Sequence, residues 1–368
     1  MSMAIVGLGT ALPPNRITQS AAAEAAMRVC CKKDEHLEVL PVLYRQAGIK
    51  TRYMVLQANL LDNEHAAAST LQSAFIPQEG DDDLGPTTHQ RMERYVRESA
   101  KLALEASSLA LERSHVKPEE ITHLVTVSCT GFSAPGTDIR VIKGLGLKST
   151  VQRVHIGFMG CHGALNGLRT ARAFTGADPK AKVLLCAVEL CSLHFHYGWD
   201  PKKLVANALF ADGSAAVVGV APEAAPADSW KVAASGSCLV PESEYAMTWD
   251  IGNHGFDMTL STRVPNLICD NLRPWLDNWL AESGFKVTDI QSWAIHPGGP
   301  RILTAVEKPL GLDESATATS REVLSECGNM SSPTVLFILD RLHARGAPRP
   351  CVALGFGPGL AAEATLLL

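Results

Sequence analysis

Apolar runs rich in Val, Ile and Leu recur along the chain at residues 4–8, 121–129, 151–158, 182–188, 215–220, 230–234, 293–296 and 351–355, each bounded by Gly, Pro or polar residues. Runs of that length and punctuation predict strands. Between them, apolar positions repeat at helical spacing over 91–110, 163–174, 267–282, 304–308 and 333–344. Strands alternating with helices predict an α/β protein whose sheets are buried. The stretch 76–88 (IPQEGDDDLGPTT) reads as a surface loop, and 221–228 (APEAAPAD) as the connection between two halves.

The pattern repeats internally. EITHLVTV (120–127) and DIQSWAIH (289–296) each follow an amphipathic helix. From Val127 to Cys161 is 161 − 127 = 34 positions, and from His296 to Asn329 is 329 − 296 = 33. Beyond each of those end points come a helix and then an apolar strand. One α/β unit used twice, over residues 1–222 and 223–368, accounts for this. In such a duplicated fold equivalent loop ends converge on the pseudo-symmetry axis, so Cys161, His296 and Asn329 are expected to meet.

Composition narrows the class. Of 368 residues 46% are apolar and 19% charged, enough to build a large core without disulfide staples. The net charge is −5 and no run of five like charges occurs, the densest cluster being Asp81-Asp82-Asp83, which argues against nucleic-acid binding or a polybasic membrane patch. Ten cysteines without a C-x-x-C pair point to a reduced, cytoplasmic protein. The N-terminus lacks the basic and apolar regions of a leader, and no apolar run is long enough to span a bilayer.

Three residues stand where chemistry is possible. Cys161, in Gly160-Cys161-His162-Gly163, lies between a strand and a helix. There its sulfur meets unpaired N–H groups and the positive end of the helix dipole, a setting that lowers a thiol pKa and makes a nucleophile; a buried structural cysteine is the alternative. His296 ends an apolar strand before Pro297-Gly298-Gly299-Pro300, a loop able to approach a ligand, or is simply a satisfied loop histidine. Asn329 precedes a helix and fits either a site or an N-cap.

The segments GNMSSPTVLFILD (328–340), GFGPGL (355–360), HPGGPRIL (296–303), ALFADGSAAVV (208–218) and the Cys161 loop resemble, in order and spacing, the type III polyketide synthases typified by chalcone and stilbene synthases. The resemblance runs from about residue 5 to 366. It implies a thiolase-like fold, a duplicated five-layered αβαβα, with the nucleophilic cysteine in the first half and the histidine and asparagine in the second. It further implies a homodimer, acyl-CoA and malonyl-CoA as substrates, and no metal or redox cofactor. Carried over, Cys161 accepts the starter acyl group, His296 holds its thiolate as an ion pair, and His296 with Asn329 forms an oxyanion hole for decarboxylation of malonyl-CoA. Phe210 matches the aromatic gate between CoA tunnel and cavity. Gly355, Gly357, Pro358 and Gly359 shape the floor, and Ala134, within 132–136, belongs to the loop that reaches the partner subunit's cavity.

Departures from the plant enzymes concern the product. Cavity threonines become Cys129, Cys191 and His194, a gating Phe becomes Met258, and a small Gly becomes Trp249, whose indole blocks part of the plant-type cavity. With ELCSL at 189–193 this resembles the bacterial branch that takes fatty acyl starters, so an alkyl-pyrone or alkyl-resorcinol product is expected. Glu189 and Ser331 remain from the network that favours aldol closure, but its threonine is Cys129. The basic positions that hold the CoA phosphates in plant enzymes fall on Val39, Val42 and Gln46, leaving Arg45, Lys50 and Arg301 as substitutes. His162 is unusual beside the nucleophile and reads as structural. Cys191, His194 and His196 lack a second ligand pair for zinc. The nearest rival is a fatty-acid-initiating ketoacyl synthase using acyl-carrier-protein, and a catalytically inactive thiolase-fold binding protein is a further one. A papain-like hydrolase, also ordered Cys, His, Asn, lacks its signature around Cys161.

Overall fold

The computed structural model describes residues 2–56, 73–77 and 83–368. The first half of the chain forms β1 (Met3–Ala11), β2 (Asn15–Thr18), α1 (Gln19–Cys30), α2 (Asp34–Gln46), β3 (Thr51–Met54), α3 (Thr88–Ser114), β4 (His123–Ser128), α4 (Thr137–Leu145), β5 (Gln152–Gly157), α5 (Gly163–Ala177), β6 (Lys182–Leu190), α6 (Pro201–Leu209) and β7 (Asp212–Val220). The second forms β8 (Trp230–Leu239), β9 (Met247–Gly252), β10 (Gly255–Leu260), α7 (Val264–Glu282), β11 (Ser292–Ile295), α8 (Pro300–Leu310), α9 (Ala318–Cys327), α10 (Pro333–Ala344), β12 (Cys351–Gly357) and β13 (Ala361–Leu367).

Nine strands join in the order β11-β12-β13-β8-β1-β7-β6-β4-β5. The order is a duplication written in hydrogen bonds. In the first half β4 runs parallel to β6, β6 antiparallel to β7, and β7 antiparallel to β1. In the second β11 runs parallel to β12, β12 antiparallel to β13, and β13 antiparallel to β8. The halves meet where β1 and β8 pair antiparallel, Met3 opposite Val232 and Ile5 opposite Trp230. Only β5 has no partner strand in the second half among the described residues.

Alternate residues of the shared strands face different layers, which is why these strands read as unbroken apolar runs. Val125, Val127, Leu185, Val217 and Ala353 face inward, onto Leu165 and Leu168 of α5 and Val335 and Ile338 of α10. Leu124, Leu184 and Val218 face outward onto Leu102, Ala106 and Ala110 of α3. Val352, Leu354 and Ala364 face outward onto Ile268 and Leu276 of α7 and Leu303 of α8. The layers are therefore helix, sheet, helix pair, sheet, helix, the thiolase-like arrangement. The close seat of α3 depends on Gly7 and Gly9 of β1, where an added Cβ would lie 2.2 Å from Ala110 O and 2.3 Å from Ala106 O.

All the expected strands and helices form, with bounds shifted by a few residues. Elements that the pattern does not announce are α1, α2, α4, α6 and α9, the short ladders β2–β3 and β9–β10, and the terminal strand β13. Of these, α1, α2 and α6 pack together through Ala22, Ala26, Leu40, Tyr44, Leu204 and Ala208 as a cap beside the sheet. Within the expected loop 76–88, residues 78–82, including Asp81 and Asp82, lie outside the described residues. No described helix is long and apolar enough to cross a membrane.

Candidate active site

The duplicated topology brings equivalent chain positions together at the carboxyl ends of the parallel strands, where open α/β sheets place their sites. Cys129 follows β4 as His296 follows β11, and Cys161 precedes α5 as Asn329 precedes α10. Cys161, His296 and Asn329 line one small cavity with Phe210, Met258 and Phe356.

Cys161 sits in a tight turn, residues Gly160–His162, entered through left-handed backbone at Phe158 (φ 56°) and Gly160 (φ 74°). A Cβ at Gly160 would stand 2.1 Å from Pro358 Cδ, so the turn rests directly on the glycine-rich loop after β12. The expectation that the start of α5 lowers the thiol pKa is reversed. Burial pushes Cys161 up to about 12, although hydrogen bonds from Ser331 and Asn329 pull the other way. Removing a lone charge from water outweighs the partial charge of a helix end.

His296 is fully buried and neither ring nitrogen has a hydrogen-bond partner among the described residues. Burial pushes its pKa down to about 3. Its main chain is fixed, His296 N donating to Leu354 O at 2.8 Å. Asn329 is held by its backbone: Asn329 N donates to Leu209 O (3.0 Å) and Ala211 N to Asn329 O (2.8 Å), a bridge opposite Phe210. Its Oδ1 accepts from Ser331 N at 2.8 Å, which leaves the amide NH2 for the cavity.

Phe210, the residue that ends α6, lines both this cavity and a larger neighbouring one, and so stands between them. The larger cavity is also lined by Cys161, by Cys191, Met54 and Ile17, and by Ala22, Ala25 and Val29 on one face of α1. Trp249 and Met258 stand opposite each other on β9 and β10. The indole Nε1 of Trp249 donates to Cys129 O at 2.7 Å, so the ring is a fixed wall. His194 stacks on Phe256 at 4.1 Å, donates from Nε2 to Thr130 O (2.7 Å) and accepts at Nδ1 from Phe256 N (2.9 Å). Both ring nitrogens are thereby occupied, burial pushes His194 down to about 3, and no cluster able to hold a metal occurs among the described residues.

Glu189, completely buried, accepts from Ser332 Oγ (2.7 Å), Thr130 Oγ (2.7 Å) and the Cys129 amide (2.9 and 3.0 Å). Ser331, in left-handed backbone (φ 55°), turns its side chain to Cys161, while the next residue, Ser332, bonds Glu189. Thr130, one residue after Cys129, also places a hydroxyl on Glu189. The Cys129 sulfur instead accepts from Gly160 N at 3.0 Å and braces the nucleophile turn. Burial pushes both Cys129 and Cys191 thiols well up.

Gly357 packs against His162, whose Nδ1 bonds Asn166 Oδ1 at 2.8 Å, and Pro358 lines the cavity. Gly355 also touches His162, and Gly359 (φ 76°) turns the chain behind it. Ala134 is exposed and lies outside the cavities of its own chain. Arg45, Lys50 and Arg301 are exposed. A Cβ at Gly48, two residues before Lys50, would lie 2.7 Å from Pro300, so the loop that carries Lys50 adjoins the first turn of α8, which carries Arg301. Thr130, Ser332 and the buried Arg52 escape sequence reasoning: a hydroxyl beside a named residue and an arginine in TRYM carry no periodic signal.

Residues 2–222 match the family model for the N-terminal domain of chalcone and stilbene synthases, and residues 231–368 the model for the C-terminal domain. An alpha-pyrone synthesis polyketide synthase-like protein, Pks18, of Mycobacterium tuberculosis strain H37Rv is 31% identical, covering 98% of this chain and 90% of its own. The 1,3,6,8-tetrahydroxynaphthalene synthase of Streptomyces peucetius subsp. caesius is 33% identical, covering 99% and 92%. The crystal structure of PKS-I from the brown alga Ectocarpus siliculosus superposes with a TM-score of 0.87 at 30% identity, covering 100% of this chain and 98% of that one.

Proposed function

The chain belongs to the chalcone and stilbene synthase family and is a type III polyketide synthase, an acyltransferase acting on acyl-CoA and malonyl-CoA, and from that premise we propose roles for its residues and a class of starter. Cys161 is the nucleophile. Its thiol and the imidazole of His296 are each held neutral by burial, so a proton passing from Sγ to His296 creates thiolate and imidazolium together and leaves neither charge buried alone. The thiolate attacks the starter thioester, the acyl–CoA bond breaks, and CoA leaves with the proton.

Malonyl-CoA then loses CO2, and the electron pair of the broken bond becomes an enolate on the thioester oxygen. The single N–H of the neutral, unpartnered His296 ring and the Asn329 amide are the donors for that oxygen. The enolate carbon attacks the acyl-Cys161 carbonyl; a C–C bond forms, the C–S bond breaks, and Cys161 is free to accept the lengthened chain. The observation that carries this reading is the convergence of Cys161, His296 and Asn329 on one cavity with both imidazole nitrogens unsatisfied.

For the starter we propose a fatty acyl chain, released as an alkyl-pyrone or alkyl-resorcinol. The cavity that Cys161 shares with the alanines of α1 is lined mainly by apolar side chains, and Trp249 walls off the side of β9. Arg45, Lys50 and Arg301 are the cations offered to the CoA phosphates. A cytoplasmic homodimer is supported by ten unpaired cysteines and by β5, an edge strand with most of its side chains exposed beside the half-exposed Phe132.

The test is incubation of purified protein with malonyl-CoA and acyl-CoAs from acetyl to long-chain and aromatic, with Cys161→Ala alongside, reading CO2 release and product mass. Cyclised products from long-chain starters, abolished in the variant, are expected. Preference for aromatic starters overturns the starter class; consumption of malonyl groups only from acyl-carrier-protein overturns the choice of carrier.

A further inference from the structure

Arg52, the second residue of β3, is buried beside the larger cavity and spends all five of its N–H donors on neighbours. Nη1 donates to Asn207 O (2.7 Å) and Phe210 O (2.9 Å), Nη2 to Ala208 O (2.6 Å) and to Gln19 Oε1, and Nε to Gln19 Oε1 (3.1 Å). Gln19 in turn donates from Nε2 to Ala208 O (2.9 Å) and Tyr44 O (3.1 Å). The carbonyls that α6 leaves unpaired at its C-terminus, the negative end of its dipole, are thus gathered on one cation.

The one nearby carbonyl that Arg52 does not take, Leu209 O, accepts from Asn329 N. The guanidinium, the gate residue Phe210 and the main chain of Asn329 therefore form one clamp, in which the arginine fixes the main chain around Phe210 that Asn329 bridges. Cys161 and His296 hang from other elements, the turn before α5 and the end of β11.

We propose that Arg52 is a positioning residue for chain extension: it sets Phe210 and, through the backbone bridge, the Asn329 amide, and it is dispensable for loading Cys161. This rests on the proposed role of Asn329 in decarboxylating malonyl-CoA. Misplacement of a positioned group by about 1 Å costs up to ~100-fold in rate, whereas a residue that only supports the fold lowers every partial reaction alike.

The experiment compares the native enzyme, Arg52→Lys and Asn329→Ala in two partial reactions: acylation of Cys161 by a starter acyl-CoA, read by intact mass, and CO2 release from malonyl-CoA. Arg52→Lys keeps a cation at the helix end but has three donors in place of the planar five-donor fork that holds the three carbonyls and Gln19 together. It is expected to acylate Cys161 at close to the native rate while CO2 release falls by about tenfold or more, in the direction of Asn329→Ala. Equal loss in both reactions, or loss in neither, overturns the clamp. Should Arg52→Lys fail to fold, Gln19→Leu, which loosens the same guanidinium, is expected to show a smaller separation of the same sign, and an unchanged ratio overturns the proposal. Asn329→Ala with native CO2 release overturns the underlying reading of Asn329, a result separate from failure of Arg52→Lys alone.

Discussion

Ser332 Oγ donates to Glu189 Oε1 at 2.7 Å, across 143 positions of sequence, and so joins the loop before α10 to the end of β6. Glu189 is pushed up to about 7 from 4.5, chiefly by burial. A carboxyl whose folded pKa lies above its unfolded value stabilises the fold in its protonated form. That contribution is complete below about 4.5 and is lost as the pH rises through about 7. Melting temperature is therefore expected to fall from pH 5 to 7.5, with a shallower slope in Glu189→Gln. Identical slopes for the two proteins in calorimetry count against this assignment.

Ser332→Ala removes one donor from that buried carboxylate, at a cost of about 1–3 kcal/mol in stability. If the network guides ring closure, the ratio of lactone to aldol product shifts while starter loading stays native, as product mass spectrometry can read. An unaltered ratio limits the network to a structural role.

The thiol of Cys161 is pushed up by burial, so its thiolate at neutral pH depends on a neighbouring base. His296→Gln removes that base. Alkylation of Cys161 by iodoacetamide at pH 7 is expected to slow by ~100-fold and to recover only at higher pH, the direction that a raised thiol pKa requires. Equal rate profiles for the two proteins would rule out His296 as the proton acceptor.

Ala25 on α1 lines the larger cavity. A phenyl ring there fills part of that space, so Ala25→Phe should lower kcat/KM for long-chain acyl-CoA by about 10- to 100-fold and leave short starters near native values. Trp249→Gly acts on the other wall and should raise the relative kcat/KM for bulky aromatic starters by about tenfold. A starter panel run on both variants separates the two walls; parallel losses across all starters contradict the proposed path of the chain.

Gly160→Ala places a methyl group against Pro358 at a φ of 74°. The strain of a non-glycine residue in that conformation is of order 1–3 kcal/mol before any clash. Thermal denaturation should show a lower Tm, and acylation of Cys161 should fall further than stability alone explains, because the turn that aims the sulfur must move.

Much of this protein was legible one residue at a time. Strands such as β6, whose alternate residues Leu184 and Leu185 face different helical layers, read as apolar runs because both sheet faces are buried. The repeated spacing around Val127–Cys161 and His296–Asn329 announced the duplication, since equal units need equal lengths of chain to cross a sheet and return. Ordered motifs carried the family, and with it the expectation that three distant residues converge.

Other features depend on backbone conformation and long-range contact, which no linear pattern encodes. Which of two adjacent serines reaches Glu189 turns on the left-handed φ of Ser331. The reversal of the Cys161 pKa follows from how completely packing excludes water, and a helix start seen in sequence says nothing of that. The α1–α2–α6 cap and the Arg52 clamp form from short amphipathic pieces and one arginine whose partners, Asn207, Ala208 and Phe210, lie about 155 residues away in sequence. Local propensity sets the elements, and burial with satisfaction of main-chain carbonyls decides which side chains meet.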